Sequence, residues 1–208
     1  ARLLHVLPPG SDLRAAAGLE PAACVAAACL RAAAVPGERV AVIGAGMLGL
    51  LATQLLAAGG PGETTVVHTR PSRAELAMRC GATTFVTTDE AGAHAGRYDV
   101  VIETAGASGA ARLATGLARR GGRVVLTGLP ARDDDPPSPV DLVLNQVTVH
   151  TVFGAPSRAW SHAVRAFAAG LLDPAPLITH DIGLDDAVEA FRVLRDERAT
   201  AVKVLLHP

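Results

Sequence analysis

A glycine-rich hexapeptide is the stretch of this sequence best suited to binding a phosphate. Residues 44–49 read Gly-Ala-Gly-Met-Leu-Gly, which is the spacing G-x-G-x-x-G. A short apolar run, Arg39–Ile43, precedes the motif, and an apolar stretch rich in helix-forming residues, Met47–Ala58, follows it. This pattern predicts a buried strand, a tight turn and a helix, the context in which the motif cradles a dinucleotide.

Each glycine of the hexapeptide has a separate task in such a cradle. Gly44 permits the tight turn, Gly46 allows the backbone to approach a pyrophosphate, and Gly49 lets the helix pack closely on the strand. The N–H groups and the positive dipole end of the helix would then face the phosphates. The alternative is a glycine-rich turn that binds no ligand.

Strands and helices alternate through the middle of the chain and would position this cradle. Strands are predicted at Arg39–Ile43, Thr64–Thr69, Thr83–Thr87, Asp99–Glu103 and Arg123–Thr127. Helices are predicted at Met47–Ala58, Ser72–Cys80 and Gly109–Arg120. The alternation implies right-handed crossovers, so the expected fold class is α/β, a doubly wound parallel sheet (Rossmann) with helices on both faces.

Further segments flank this sheet. An Ala-rich helix, Glu20–Ala34, leads into it. Beyond it we predict a sixth strand, two amphipathic helices and a last strand, at Val147–Phe153, Ser157–Gly170, Leu184–Arg195 and Ala201–Leu206. The chain is therefore divided into a lead-in segment at 1–36, a dinucleotide-binding domain at 37–154 and a C-terminal segment at 155–208.

Composition excludes several classes of protein. The chain has 208 residues, with 19 basic and 20 acidic side chains, a formal net charge of -1 and 50% hydrophobic residues. The balanced charge offers no field for a nucleic-acid backbone, and no apolar run reaches the roughly 18 residues of a membrane-spanning helix. The three cysteines form no C-x-x-C pair and no signal peptide is visible, so we expect a cytoplasmic protein without a structural zinc lobe in this chain.

Short motifs along nearly the whole chain resemble the medium-chain dehydrogenase/reductase superfamily, the zinc-type alcohol and polyol dehydrogenases. The matching stretches are Glu20-Pro21, residues 36–40, the hexapeptide, Arg73–Ala82, Asp99–Glu103, Gly121–Val125, Leu184–Phe191 and Lys203–Leu205. In that family an N-terminal GroES-like catalytic domain precedes the cofactor domain, and the last segment folds back onto it. The resemblance implies a chain that holds the cofactor domain and the returning segment without the catalytic domain, as a fragment of a larger enzyme or as a natural truncation that cannot catalyse alone.

The resemblance leaves Glu20 as the one candidate metal ligand, and no residue here is assigned a catalytic role. The family's zinc is held mainly by a Cys and a His-Glu pair of the N-terminal domain, and the resemblance implies that this chain lacks the expected Cys and Gly-His-Glu motifs. In the polyol branch the Glu of the Glu-Pro motif lies beside the zinc or its water, and a carboxylate is a competent zinc ligand. The alternative is a glutamate that interacts with the helix dipole. The motif favours a zinc enzyme over the zinc-independent quinone and enoyl reductases, which usually lack Glu-Pro here.

The residues after the second strand bear on the choice of cofactor. NAD enzymes place an acidic residue at the end of this strand to bind the ribose hydroxyls. By the family pattern that position is His68, followed by Thr69 and Arg70, with Arg73 close behind and no carboxylate among them. Arg70 could make charge-assisted hydrogen bonds to a 2′-phosphate, which favours NADP over the alternative, NAD. The opposing interpretation is that both arginines are solvated surface residues.

Taken residue by residue, the resemblance implies a set of cofactor contacts at the carboxyl ends of the strands. They are Gly44, Gly46, Met47, Leu48, Gly49, His68, Thr69, Arg70, Arg73, Thr104, Ala105, Gly106, Thr127, Gly128, Leu129, Thr151, Val152, Phe153 and Lys203. The expected activity is hydride transfer between nicotinamide and a small-molecule alcohol or carbonyl, with zinc supplied only by the missing domain. The alternatives are a zinc-independent quinone or enoyl reductase and a non-catalytic dinucleotide-binding or assembly module.

The sequence of the sixth strand indicates how copies of the chain would assemble. Residues Gln146–Phe153 are rich in β-branched residues and carry little charge, and by the family's strand order they form the edge of the sheet. An uncovered edge invites pairing with another chain. The resemblance therefore implies a homodimer or tetramer through this strand, the alternative being a monomer whose edge is blunted by the preceding proline-rich loop.

Overall fold

The computed structural model describes residues 4–130, 135–197 and 200–208. The helices are α1 (Leu13–Ala16), α2 (Leu19–Ala32), α3 (Met47–Ala57), α4 (Ala74–Arg79), α5 (Ala110–Leu117), α6 (Pro139–Asn145), α7 (Ser157–Ala168) and α8 (Ala187–Asp196). The strands are β1 (Arg39–Ile43), β2 (Glu63–His68), β3 (Thr84–Thr87), β4 (Tyr98–Glu103), β5 (Ala118–Leu126), β6 (Thr148–Thr151), β7 (Ile178–Gly183) and β8 (Lys203–His207). Short 3-10 turns lie at Pro71–Arg73, Ala91–His94, Ala175–Leu177 and Leu184–Asp186.

Six strands form one parallel sheet in the order β3-β2-β1-β4-β5-β6. The first strand, β1, therefore lies inside the sheet. Strands β2 and β3 follow on one side of it, and β4, β5 and β6 follow on the other side. This reversal places a switch point between β1 and β4, where ligands of doubly wound sheets bind. The sheet confirms the predicted fold class, and β7 and β8 add a separate two-stranded parallel sheet.

Both faces of the main sheet are covered, which explains why β1 is apolar almost throughout. Val40 and Val42 lie in a core with residues of α2, α3 and α7, whereas Ala41 and Ile43 lie in a second core with residues of α5. Successive residues of a strand point to opposite faces, so a strand covered on both sides needs apolar residues at every position.

Small side chains let the helices on one face approach closely. In α2, the alanines at 22, 23, 26 and 28 are completely buried, as are Ala159 and Ala163 of α7. These helices share one hydrophobic core with the sheet. The boundaries at 36/37 and 154/155 remain predictions, since the described residues on either side of them contribute to this common core.

The prediction of a helix through Arg120 is wrong. α5 ends at Leu117, and Ala118 already pairs with Tyr98 in the sheet. The register shifts between Tyr98 and Val100, and Gly121 has a left-handed φ of +71°, so the extra residues form an irregular early part of β5. Arg119 is held there by an ion pair with Asp99, a partner distant enough in sequence that local helix preference could not reveal it.

Three elements lie outside the sequence-based predictions: the short helix α1, helix α6 and strand β7. Helix α6 begins with Pro139 after Ser138, whose hydroxyl accepts a hydrogen bond from the Asp141 N–H, an arrangement typical of a helix start. Among the described strands, β7 pairs only with β8, so its formation depends on residues more than 20 positions away. None of the helices in the described part of the chain is long and apolar enough to cross a membrane.

Candidate functional site

Five strands end in one row across the carboxyl edge of the sheet. Ile43 pairs with Val67 on one side and with Glu103 on the other, Glu103 pairs with Leu126, and Leu126 pairs with Thr151. Nearly all of the predicted cofactor contacts lie in the loops that leave this row, within six residues of a strand end. The sheet therefore brings five separate stretches of sequence to one edge.

The first residues beyond the row are fixed by hydrogen bonds to the neighbouring strand. Thr104 donates to the Ile43 carbonyl through its N–H (2.9 Å) and through its hydroxyl (2.7 Å). Thr127 donates to the Glu103 carbonyl in the same two ways, at 2.9 and 2.7 Å. Each hydroxyl proton is thus used within the protein, which leaves the hydroxyl oxygen as an acceptor for a ligand.

The glycine turn at the end of β1 has the geometry of a phosphate cradle. Gly44 has φ +107°, and a Cβ on Gly49 would lie 1.8 Å from the Gly44 carbonyl oxygen, so the fold itself requires both glycines. Gly46 is exposed, its φ is -90°, and a Cβ there would meet no atom within 4 Å. The packing of the protein does not require this third glycine, and the space before it is open.

The start of α3 faces the same space. Gly46 is the residue before the helix, and it supplies no side chain to cap the first-turn N–H groups, which include those of Met47 and Leu48. Such N–H groups and the positive helix end favour an anion. The donors therefore fit a pyrophosphate.

His68, at the end of β2, is tied to the glycine turn. Its Nδ1 accepts a hydrogen bond from the Ala45 N–H at 3.4 Å, which requires an unprotonated Nδ1. Burial, followed by the charges of Arg70 and Arg73, holds the pKa of His68 below its usual value. The structure thus gives His68 a positioning role in the turn that sequence reasoning missed.

The two arginines after β2 lie in different surroundings. Arg73 is buried and donates to the carbonyls of Ala201 (2.6 Å) and Thr200 (3.5 Å), so it fastens the C-terminal segment to the sheet. Arg70 is half-buried beside the exposed Thr69. The role found for Arg73 is structural, and our proposal for the phosphate of a cofactor accordingly depends on Arg70 and Thr69.

Charged side chains of both signs lie near this end of the sheet. The nearest strand, β3, places Thr87 opposite His68. The carboxylate that follows it, Glu90, accepts hydrogen bonds from the Thr87 N–H (3.0 Å) and hydroxyl (2.7 Å). Lys203, half-buried at the start of β8, lies two residues beyond the Ala201 carbonyl that Arg73 holds.

The other half of the edge combines close backbone packing with exposed apolar side chains. The loops at 104–106 and 127–129 touch at Gly106 and Gly128, where a Cβ on Gly128 would lie 2.2 Å from the Gly106 nitrogen. Leu129 and Phe153 are 74% and 87% exposed. These exposed surfaces suit a flat, partly apolar ring such as nicotinamide.

The candidate metal ligand, Glu20, belongs to helix α2. Glu20 is exposed in the first turn of α2, and the Cys24 thiol donates to its Oε1 at 3.6 Å. Among residues 4–130, 135–197 and 200–208, no group of three or more His, Cys, Asp or Glu side chains could hold a metal ion. The described residues therefore do not form a zinc site by themselves, and we derive no catalytic step through zinc.

Comparisons with known proteins agree with this architecture. Residues 48–169, more than half of the chain, match the family model described as zinc-binding dehydrogenase. The sorbitol dehydrogenase of Bacillus subtilis (strain 168) is 26% identical over 99% of this chain and 60% of its own length. The L-threonine 3-dehydrogenase of Bacillus velezensis is 27% identical over 100% of this chain and 62% of its own length.

A solved structure extends the similarity to three dimensions. A "putative zinc-binding dehydrogenase" from Sinorhizobium meliloti 1021, bound to NADP, matches with a TM-score of 0.88 at 29% identity, over 97% of this chain and 61% of that chain. This chain thus spans about 60% of the length of the relatives it matches. With its motifs, its sheet and a family match over more than half of its residues in agreement, the chain belongs to the zinc-binding dehydrogenase family.

Proposed function

We propose that this chain is the NADP(H)-binding part of a zinc-type alcohol or polyol dehydrogenase. The observation that carries the proposal is the open space before Gly46, where an exposed glycine and the start of α3, which has no side-chain cap, face no protein atoms. A pyrophosphate satisfies the N–H groups there and explains a glycine that packing does not require.

The residues at the end of β2 support NADP(H) over NAD(H). His68 occupies the position where an acidic side chain would bind ribose hydroxyls, and its neutral ring is used in holding Ala45. A 2′-phosphate beside Thr69 and Arg70 would meet a hydroxyl and a cation without a competing carboxylate at that position. The relative from Sinorhizobium meliloti was solved with NADP, which agrees with this choice.

The chain's residues would bind and orient the cofactor. Gly46 and the start of α3 would hold the pyrophosphate, and the loops after β4 and β5 would receive the nicotinamide end. The bound nicotinamide supplies hydride chemistry at its C4 atom. Leu129 and Phe153 would cover that ring and exclude water from one side.

The remaining features of the whole enzyme are part of the same proposal. Its substrate would be a small alcohol or carbonyl compound, and a zinc ion held mainly by residues outside this chain would lie near Glu20. The reducing cytoplasm is proposed because all three cysteines are free.

Assembly would use the edge of the sheet. β6 pairs only with β5 among the described strands. Three large apolar residues of the preceding helix, Val140, Val143 and Leu144, are 64 to 75% exposed. We propose a homodimer, alone or within a tetramer, in which β6 meets its own copy across a two-fold axis.

Calorimetric titration of the 208-residue chain with NADPH and with NADH tests the cofactor assignment. A charge-assisted hydrogen bond to the 2′-phosphate is worth roughly 1.5–3 kcal/mol, so NADPH should bind about tenfold to a hundredfold more tightly. Equal or tighter binding of NADH would contradict the NADP(H) assignment, and failure of both to bind would contradict the proposed function itself.

A further inference from the structure

Glu103 is a buried carboxylate at the end of β4 that the proposed function does not use. Its side chain is almost completely buried, with 2% of the residue exposed. We propose that Glu103 is a positioning residue that holds the loops after β4 and β5 in the shape that receives the nicotinamide half of the cofactor. This inference rests on the proposed function, because it requires that the cofactor bind at this edge.

The side chain of Glu103 joins the two loops. Its Oε1 accepts hydrogen bonds from the N–H groups of Ala105 (2.6 Å) and Gly106 (2.8 Å), both in the loop after β4. Its Oε2 accepts one from the N–H of Gly128 (3.2 Å), in the loop after β5. A single carboxylate thus satisfies three backbone donors that belong to no helix or strand.

The main chain of Glu103 also binds the loop after β5. Its carbonyl oxygen accepts both the N–H and the hydroxyl of Thr127. The start of the β5 loop is therefore fastened to the main chain of Glu103, and Gly128, one residue later, is fastened to its side chain.

Close packing makes this arrangement specific. A Cβ on Gly128 would lie 2.2 Å from the Gly106 nitrogen and 2.6 Å from Glu103 Oε2. Gly106 has φ +58° and touches the backbone of Leu129. The loops can approach this closely only because two glycines face each other and the carboxylate beneath them accepts their N–H groups.

The two ends of the cofactor would depend on different residues. The pyrophosphate and the 2′-phosphate would bind at the glycine turn and at Arg70, which follow β1 and β2. The nicotinamide end would bind at the loops that Glu103 joins, which follow β4 and β5. Loss of the Glu103 hydrogen bonds should therefore weaken contacts to nicotinamide far more than contacts to the phosphorylated adenosine half.

The decisive experiment compares NADPH with 2′-phospho-ADP-ribose, which lacks only the nicotinamide ring, on the unmodified chain and on Glu103→Gln. Gln keeps the size of the side chain but replaces one acceptor with an NH2 donor. We expect the Kd of NADPH to rise about tenfold, the usual effect of one unsatisfied buried donor, while the Kd of 2′-phospho-ADP-ribose changes less than about threefold. The fluorescence change of bound NADPH should shrink in parallel.

Glu90→Gln is the matched control, because Glu90 also accepts a backbone N–H and a hydroxyl but lies after β3. Any change in that variant should be the same for both ligands, because both carry the 2′-phosphate and the pyrophosphate. Equal weakening of both ligands in Glu103→Gln, or no weakening of either, would overturn the positioning role. If the unmodified chain bound neither ligand, the proposed function would fail instead.

Hydrogen exchange on the unmodified chain tests the same inference without a substitution, which covers the case of a Gln variant that does not fold. The amides of Ala105, Gly106 and Gly128 should be strongly protected although they lie in loops, while the exposed amide of Gly46 should exchange fast. Rapid exchange at all three Glu103 partners would overturn the role.

Discussion

The glycine turn allows a prediction in which two neighbouring substitutions have opposite effects. Gly46 has φ -90° and ψ -171°, a conformation open to alanine, and a Cβ there meets no atom within 4 Å. A Cβ on Gly49 would lie 1.8 Å from the Gly44 carbonyl oxygen, about half of the 3.4 Å at which ordinary contact begins. Gly46→Ala should therefore harm only ligand binding, whereas Gly49→Ala should harm the fold.

The magnitudes follow from the two environments. Gly→Ala at a compatible position stabilises by about 0.4–1 kcal/mol through the unfolded chain, whereas forced overpacking costs about 1–3 kcal/mol. For a chain of this length 1 kcal/mol shifts the Tm by about 2–4 °C. We therefore expect a Tm raised by about 1–4 °C in Gly46→Ala and lowered by about 2–12 °C in Gly49→Ala.

NADPH binding should be weakened in Gly46→Ala, the variant whose fold we expect to be intact. The methyl group of Gly46→Ala would occupy the space where a pyrophosphate approaches, so the Kd of NADPH should rise at least about tenfold, the loss of one charge-assisted hydrogen bond. Thermal unfolding and calorimetric titration of the same preparations supply both values. The reasoning would be refuted if Gly46→Ala bound NADPH as tightly as the unmodified chain, or if Gly49→Ala were as stable.

Three further predictions concern acid stability, assembly and metal dependence. The pKa of His68 is lower in the folded than in the unfolded chain, so its contribution to stability is fully present above about pH 6.5. That contribution is lost as pH falls through the lower, folded-state pKa. His68→Asn, whose Oδ1 can still accept from Ala45, should show a smaller fall in Tm between pH 7 and pH 5, and an unchanged fall would contradict this. Val149→Lys, in the middle of β6, should convert a dimer to a monomer by placing two like charges near the axis, as light scattering would report; a monomeric unmodified chain well above micromolar concentration would disprove the interface. The 208-residue chain with added zinc should not oxidise alcohols, because no three His, Cys, Asp or Glu side chains among its described residues are placed to hold a metal ion. Zinc-dependent turnover in a preparation free of contaminating enzyme would contradict that expectation.

The sequence predicted those parts of the fold that depend on neighbouring residues. Strand β1, the glycine turn and α3 are local: an apolar run, a fixed spacing of glycines and a helix-forming stretch occur in sequence, and their bounds agree closely with the structure. The parallel order of the sheet follows from the alternation of strands and helices, because crossovers between parallel strands have one hand.

The features that escaped prediction depend on distant partners. A cofactor contact for Arg73 stays a prediction, but nothing in the sequence indicated that its guanidinium donates to carbonyls more than 120 residues later. Ala118 joins β5 because Tyr98 offers a pairing position, although helix preference favours a longer α5. Glu103 was visible only as the polar end of an apolar run, and its role depends on N–H groups from two loops.

The most direct test of the account is whether one charge at the end of β2 sets the cofactor preference. Arg70→Asp supplies the acidic group that binds ribose hydroxyls and repels a 2′-phosphate, while Arg79→Asp makes the same charge change on an exposed face of α4. We measure Kd for NADPH and NADH by calorimetry for the unmodified chain and both variants. The account predicts that NADPH binds more tightly to the unmodified chain and to Arg79→Asp, and that the order reverses in Arg70→Asp. An unchanged order in Arg70→Asp, or a reversal in Arg79→Asp as well, would contradict it.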